Sequence, residues 1–436
     1  MSCVLDGAET SFAIPSGPGG SRPCRILYLH QYFATPETHG GTRSYEMARR
    51  LVERGHEVHM VTAWPEDDGR RGWFRTREAG IEVHWIPVPY SNHLSYPARI
   101  RAFFHFAQKA AVKAAGIPAD LVFATSTPLT IALPAVYAAR RQRIPMVFEV
   151  RDLWPTMPIV VGALRNPGAI AAARWLERFA YRNAERVVAL SPGMRDGIVE
   201  TGYDPAKISI IPNSCDNGLF SSVSRAEARK WLLQRYPELG GGPLVGYTGT
   251  MGRINAVEYL VEMAAIARER GSALRFAVFG EGAEEAAVTS LARERGVLGR
   301  NLWIYGPLPK KDMPSVIRSL DLATSLFKNI PEMRHNSANK FFDALAAGRP
   351  VLINYGGWQA GVLRESGAGL VAPPDQPRVA LELAEKLLAE PDRLALASQA
   401  AGKLAREQFD RDLLAGRLAD VLNEVHATWK IRRAQA

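Results

Sequence analysis

Short apolar runs, each followed by a helical segment, recur in two series along this chain, and that alternation dictates most of what it can become. The first series opens with Arg25–His30 (RILYLH) and passes through a loop into the helical stretch Thr42–Gly55, where Tyr45, Ala48, Leu51 and Val52 recur at helical spacing. Gly55 stops that helix before His56–Ala63 (HEVHMVTA), completing a β-loop-α-β unit. Runs at Leu121–Thr125, Pro145–Val150 and Arg186–Leu190 continue the series, which ends near Ile211–Asn213. A second series restarts at Leu244–Tyr247 and proceeds through a helix at Val257–Arg270 to Leu274–Phe279, Leu302–Tyr305, Asp321–Phe327 and Val351–Asn354. Alternation of this kind builds a parallel sheet with helices on both faces. The predicted class is α/β: two tandem doubly wound parallel-sheet domains whose strand carboxyl ends face each other across a cleft. The expected division is a flexible tail over 1–23, a first domain over 24–213, a second over 214–409, and a helix over 410–436 that returns toward the first domain. Leu413, Leu414, Leu418, Val421, Leu422 and Val425 give that last helix an apolar face.

Composition narrows the partners. A chain of 436 residues with 47% hydrophobic content can bury two cores. No apolar run reaches the roughly eighteen residues of a bilayer span. Residues 1–22 mix Ser, Gly and Pro without a basic start or an apolar core, which argues against a signal peptide and for a cytoplasmic protein. Cys3, Cys24 and Cys215 are odd in number, far apart and without CxxC spacing, which fits a reducing compartment and no zinc site. The net charge of +10 suits nucleic acid, anionic lipid or phosphorylated substrates, or serves solubility alone. Without zinc-finger spacing, an RNA-binding aromatic signature or a lysine block, nucleic acid is set aside. Two basic segments suit an anionic membrane surface. Arg70–Arg77 (RRGWFRTR) interleaves Trp73 and Phe74 with arginines as a loop at a headgroup boundary would, and Arg101, His105, Lys109 and Lys113 recur every four residues on a helix that also carries Phe103 and Phe104. A solvated charged face over an ordinary core is the competing reading.

The residues with chemistry to offer fall after strands. Asn336–Gly357 (NSANKFFDALAAGRPVLINYGG) carries Asn339, Lys340 and Asp343 on a helix that stops at Gly348 and enters an apolar strand, a nucleotide-diphosphate handle made of a helix start, a cation and a carboxylate. Thr248-Gly249-Thr250-Met251-Gly252-Arg253 and Gly280-Glu281-Gly282 follow the first two strands of the second series, where small residues let a ligand approach and Arg253 can reach a phosphate. In the first domain Gly40-Gly41 and Arg43 lie between the first strand and its helix, an anion-binding position or an ordinary glycine turn. Glu149–Pro155 (EVRDLWP) sets Arg151, Asp152 and Trp154 at a strand end, to line the cleft or to fix the loop. Ser191-Pro192-Gly193 offers a helix cap, and Asp410-Arg411-Asp412, the only DxD, reads as helix-start carboxylates rather than a metal site.

Together, the tandem architecture, Gly40-Gly41, Ser191-Pro192-Gly193, Gly280-Glu281-Gly282 and Lys340–Pro350 resemble the GT-B retaining glycosyltransferases of family four, over residues 24 to about 425. Each domain of that fold is Rossmann-like. The strings YLHQYFATPETHGGTRSYEMARRL and FEVRDLWP look like the subgroup typified by WbuB, bacterial enzymes that build O-antigen and capsule repeat units. The resemblance implies a nucleotide-sugar donor, usually UDP-linked, held by the second domain, an acceptor on the first, and no metal or cofactor. It implies a hexosyl or N-acetylhexosaminyl transferase acting on a lipid-diphosphate-linked or glycan acceptor at the inner face of the cytoplasmic membrane. Asp343 stands where the family's second glutamate holds the ribose, His335 replaces the first glutamate, and Thr250 and Asn255 replace the usual Arg and Lys of the first loop. Arg151 lies where many relatives carry a histidine. Carried onto this chain, Arg151, Asp152 and Lys340 are the catalytic candidates. Gly40, Gly41, Gly249, Arg253, Gly280, Glu281, Gly282, Asn339, Lys340 and Asp343 are the donor contacts, and Arg43 and Trp154 the acceptor contacts. A GT-B nucleotide-sugar epimerase, or a degenerate nucleotide-sugar-binding subunit, are the alternatives.

Overall fold

The computed structural model describes residues 23–38, 41–90 and 95–435. The tail through residue 22 and Gly40 lie outside the described residues. Eight strands form the first sheet: β1 (Arg25–Leu29), β2 (Glu57–Trp64), β3 (Phe74–Glu78), β4 (Ile81–Pro87), β5 (Leu121–Thr125), β6 (Met146–Val150), β7 (Arg186–Ala189) and β8 (Ile208–Ile210), in the order β3-β4-β2-β1-β5-β6-β7-β8. Six more form the second: β9 (Leu244–Thr248), β10 (Arg275–Phe279), β11 (Leu302–Tyr305), β12 (Leu322–Ser325), β13 (Val351–Ile353) and β14 (Gly369–Val371), in the order β11-β10-β9-β12-β13-β14. Every pairing is parallel except β3 with β4. Crossover helices cover both faces, so β5, β6 and β9 are buried at every position, and this is why they read in the sequence as continuous apolar runs.

One expectation fails here. Arg70–Arg77 is not a loop at a lipid boundary but a turn leading into the edge strand β3. Phe74 stacks on Trp85 with centroids 6.2 Å apart, and Trp73 packs on the first-domain core beneath the Lys113 ammonium, 5.6 Å from its ring. Arg70 lies over the rings of Trp64 and Phe74, at 4.9 and 4.7 Å. The aromatic side chains that would enter lipid are committed to the fold, with Arg70 over Phe74 and Lys113 over Trp73 as cation–π partners.

The chain crosses between the domains twice. It leaves the first sheet after β8, and it comes back at Arg411–Gln435, a helix whose Leu414, Leu418 and Leu422 share a core with Ile26, Met47 and Leu51. The two crossings lie side by side: Cys215 donates its N–H to the carbonyl of Phe409 (2.7 Å), and Arg411 donates to the carbonyl of Cys215 (3.2 Å). Asp410 starts the returning helix by accepting from the N–H groups of Asp412 and Leu413 (2.8 and 3.1 Å), a capping role for the first carboxylate of the DxD.

Candidate active site

Each sheet reverses strand order once, between β1 and β5 and between β9 and β12. Ligand crevices of doubly wound sheets open outside the carboxyl ends at such points. A cavity of about 530 Å³ lies there, between the domains. The first domain lines it with Tyr32, Tyr90, Phe103, Arg151, Asp152 and Trp154, the second with Ile254, Phe327 and Asn336 to Ala338.

The end of β6 supplies the polar part of the first-domain wall. The Arg151 N–H donates to Ser126 Oγ (2.9 Å), and its guanidinium lies beside Gly41, 3.7 Å from where a side chain there would begin. Two segments 110 positions apart in the sequence, as 151 and 41 are numbered, thus meet at one point. Asp152 reaches the cavity yet is crowded by protein, so burial raises its carboxyl above the usual range while the Arg151 charge and the Thr127 hydroxyl pull it down. Thr127 itself holds φ at +93°, a costly geometry for a β-branched residue, and it lines the cavity. Beside them His30 is buried at the end of β1, and burial together with the Arg151 charge holds its imidazole well below the usual range, hence neutral. Its Nδ1 and the side-chain amide of Gln31 have no hydrogen-bond partner among the described residues.

Arg43 does not face an acceptor. Its guanidinium is buried against Glu149, with Nη2 and Nε at 2.8 and 3.1 Å from Oε1, and it also donates to the carbonyls of Pro212 and Ile211 (2.7 and 3.0 Å). Burial alone would raise the Glu149 carboxyl, but the charges of Arg43 and Arg151 and a hydrogen bond from Thr125 hold it below the usual range. Arg43 is a strut joining the first helix, β6 and the linker.

In the second domain the helix Asn339–Ala346 starts without a side-chain cap. Its leading residues Ser337 and Ala338 line the cavity, so orphan N–H groups and the positive end of the helix dipole open there. Asn339 is exposed and Lys340 half-buried. Lys340 lies against Gly249, its Cε 2.9 Å from where a Cβ would sit, with Nζ 5.1 Å above the Tyr247 ring. Burial pushes its ammonium down to about 8 against the pull of Asp343. Asp343, one turn on, is pushed up by burial to about 6, opposed by the charges of Arg411 and Lys310. Gly280 and Gly282 admit the first loop itself: a Cβ on either would fall 2.0 Å from the Gly249 carbonyl oxygen or 2.3 Å from that of Met251. Gly249 and Met251 donate their N–H groups to the carbonyls of Phe279 and Glu281 (both 2.8 Å), which extends the β9–β10 pairing into the loops. Glu281 and Arg253 are exposed and do not line the cavity, and Asn255 closes its own loop by accepting from the Gly252 N–H (3.3 Å).

The domains meet beside the cavity. Ser191 caps the Pro192–Glu200 helix, accepting from the Met194 N–H (3.1 Å), and donates its hydroxyl to the His335 carbonyl (2.6 Å). A Cβ on Gly193 would fall 1.7 Å from His335 Nδ1. The position that carries a glutamate in the resembled family here packs a ring onto a glycine of the opposite domain. Asn213 donates its N–H to Ser337 Oγ (3.0 Å), and Lys310 donates to Thr42 Oγ1. Sequence reasoning missed Lys310 and Asp216 around Asp343, which nothing local in the sequence marks, and read Arg411 only within the Asp410-Arg411-Asp412 helix start.

Two α/β domains with a shared polar and aromatic cleft and an uncapped helix start in the second domain define a GT-B architecture. Residues 40–214 match a family described as "Glycosyl transferase 4-like domain" and residues 242–390 match "Glycosyl transferases group 1". The chain belongs to family 4 of the glycosyltransferases. Similar curated proteins include the alpha-D-kanosaminyltransferase of Streptomyces kanamyceticus, 24% identical over 58% of this chain and 64% of its own length. The Escherichia coli K12 protein described as "Putative colanic acid biosynthesis glycosyl transferase WcaI" is 24% identical over 66% of this chain and 73% of its own. D-inositol 3-phosphate glycosyltransferase of Salinispora tropica is 24% identical over 98% of this chain and 92% of its own. Similar folds are seen in Anabaena HepE in complex with UDP and glucose (TM-score 0.68, 16% identity, 92% of this chain and 100% of that one) and in WaaG, a glycosyltransferase involved in lipopolysaccharide biosynthesis (TM-score 0.67, 18% identity, 91% and 99%).

Proposed function

We propose that this protein moves a hexosyl or N-acetylhexosaminyl group from a nucleotide-sugar donor, UDP-linked, to a lipid-linked or glycan acceptor with retention of anomeric configuration, in cell-surface polysaccharide synthesis. The observation that carries this reading is the helix Asn339–Ala346, which starts without a side-chain cap directly after Ser337 and Ala338, two residues that line the same cavity as Arg151 and Asp152. As the bond between the anomeric carbon and the β-phosphate oxygen breaks, negative charge gathers on the phosphate, where helix N–H groups and the Lys340 ammonium stabilise it. The acceptor hydroxyl forms the new bond on the face the phosphate leaves, and its proton passes to the departing phosphate oxygen. Arg151 and Asp152 orient sugar and acceptor, and Trp154 with the neighbouring aromatic rings bears on the acceptor. The UDP complex of the similarly folded HepE and the polysaccharide roles named for WcaI and WaaG support the donor and pathway class. A lipid-linked acceptor places the reaction at the inner face of an anionic cytoplasmic membrane.

A thermal-shift screen of nucleotide sugars, followed by a transfer assay on a short-chain prenyl-diphosphate sugar, tests the proposal. Stabilisation by a nucleotide sugar and a disaccharide product are expected. Epimerised sugar without transfer would favour the epimerase, and binding without turnover the degenerate subunit.

A further inference from the structure

After the cavity wall at Met157 and Pro158 the chain makes two helices that the fold leaves uncovered. In Thr156–Val160 no residue is buried, and in Pro167–Arg182 the buried residues are Glu177, Ala180 and Tyr181, all in its second half. From Val160 to Trp175 only Leu164 is buried. Many of the exposed positions are nonetheless apolar: Val160 (40% exposed), Val161 (42%), the alanines 169, 171 and 172, and Trp175 (60%), with Ile170 and Ala173 half-buried among them. The helix is well started, since Asn166 accepts from the Ala169 N–H (3.0 Å) and Pro167 holds its first turn. Isolated exposed apolar residues are ordinary, but apolar residues left uncovered along two successive turns of helix, from Ala169 to Trp175, mark a contact surface.

Charge says what the contact is. No Asp or Glu occurs between Asp152 and Glu177, and Glu177 points inward to accept from the Tyr181 hydroxyl (3.3 Å). Arg165, Arg174, Arg178 and Arg182 are exposed around the apolar face. A second copy docked symmetrically on this face would set like charges against each other. An anionic bilayer complements it: cations at the headgroups, aliphatic groups below them, and a tryptophan at the boundary. The patch is also continuous with the cleft, because Met157, Pro158, Val161 and Ala163 line the cavity.

We infer that the surface formed by Thr156–Val160 and the first half of Pro167–Arg182 is where this protein docks on an anionic membrane, with its cleft opening at the lipid boundary. The inference rests on, and deepens, the reading of the acceptor as lipid-linked, and it moves the membrane contact away from Arg70–Arg77. The test is sedimentation of the full chain with phosphatidylcholine vesicles containing about one-third phosphatidylglycerol. Two variants are compared with the wild type, Val160→Ser/Ile170→Ser/Trp175→Ala and Arg165→Gln/Arg174→Gln/Arg178→Gln, each checked for an unchanged melting temperature. Each should bind at least about tenfold more weakly, whereas Arg70→Gln/Arg71→Gln should change binding less than about twofold. Unaltered binding by the apolar variant would overturn the inference, as would a wild-type dimer in solution that the same variant dissociates. Transfer to a water-soluble short-chain acceptor separates the two readings. Vesicle binding without transfer removes the acceptor reading and keeps the docking surface, and transfer without vesicle binding does the reverse.

Discussion

Substituting Gly193 by Ala places a Cβ 1.7 Å from Nδ1 and 2.5 Å from Cγ of His335, across the domain boundary. No rotamer of the alanine relieves this, so either the imidazole swings away or the Pro192–Glu200 helix retreats from the segment that holds His335. Retreat also opens the Ser191 hydroxyl bond to the His335 carbonyl, at 2.6 Å. Overpacking of this kind costs roughly 1–3 kcal/mol and a lost hydrogen bond about 1 kcal/mol more. The cost falls on the docked arrangement of the domains and not on either core, so the ratio of docked to separated molecules should drop by about thirty- to nine hundred-fold. Small-angle scattering of Gly193→Ala should report a larger radius of gyration, and nucleotide-sugar affinity, which needs the joined cleft, should fall. His335→Ala removes the obstructing ring, so the double variant should regain most of the compaction. An unchanged radius in Gly193→Ala, or no recovery in the double variant, would refute the argument.

Arg43→Met leaves Glu149 buried without its counter-charge and should lower unfolding free energy by about 3–5 kcal/mol in urea titrations at pH 7, with part recovered in Arg43→Met/Glu149→Gln. Because the Glu149 carboxyl is depressed in the folded protein, that contribution is present above the ordinary glutamate range and lost as pH falls through the folded value, so the wild type and Arg43→Met should converge in acid. Lys340, pushed down to about 8, binds a diphosphate as the ammonium, so calorimetric affinity for UDP should be flat below that pH and decline as pH rises through it. Lys340→Arg should hold its affinity through the same window, and Lys340→Ala should bind at least about tenfold more weakly at pH 7 with no such decline. Arg151→Ala and Asp152→Ala should each slow transfer by about a hundredfold while the melting temperature stays near wild type; normal rates would remove them from the reaction.

The strands that could be read from sequence are those buried on both faces. Leu121–Thr125 and Leu244–Thr248 are apolar at nearly every position because helices cover them on either side. The hairpin of β3 and β4 was not read, although Phe74 and Thr76 alternate with Arg75 and Arg77 at strand spacing and Ala79-Gly80, both at positive φ, form its turn. The arginines and aromatic residues suggested lipid, and only the tertiary packing shows Trp85 beneath them. Arg43 could not be assigned from its neighbours because its partner Glu149 lies 106 positions on. The glycines of the second domain read as points of ligand approach, but what comes close to Gly280 and Gly282 is the adjacent loop, and to Gly249 the Lys340 side chain. Thr156–Arg182 stayed silent for a related reason: an apolar helix looks the same in sequence whether or not the fold covers it.

The paired crossings at Cys215 and Asp410 decide how the two halves can move. One connecting strand would leave the domains free to twist as well as bend. Two, bonded to each other through Cys215, Phe409 and Arg411, act like the two leaves of a door hinge, suppressing twist and leaving rotation about a line through both crossings. Because Asn213, two residues before Cys215, is tied to Ser337 at the cavity wall, the cleft mouth lies near that line on one side and far from it on the other. Opening then widens the outer mouth more than the inner, so an acceptor can enter and leave while the groups nearest the axis keep their spacing.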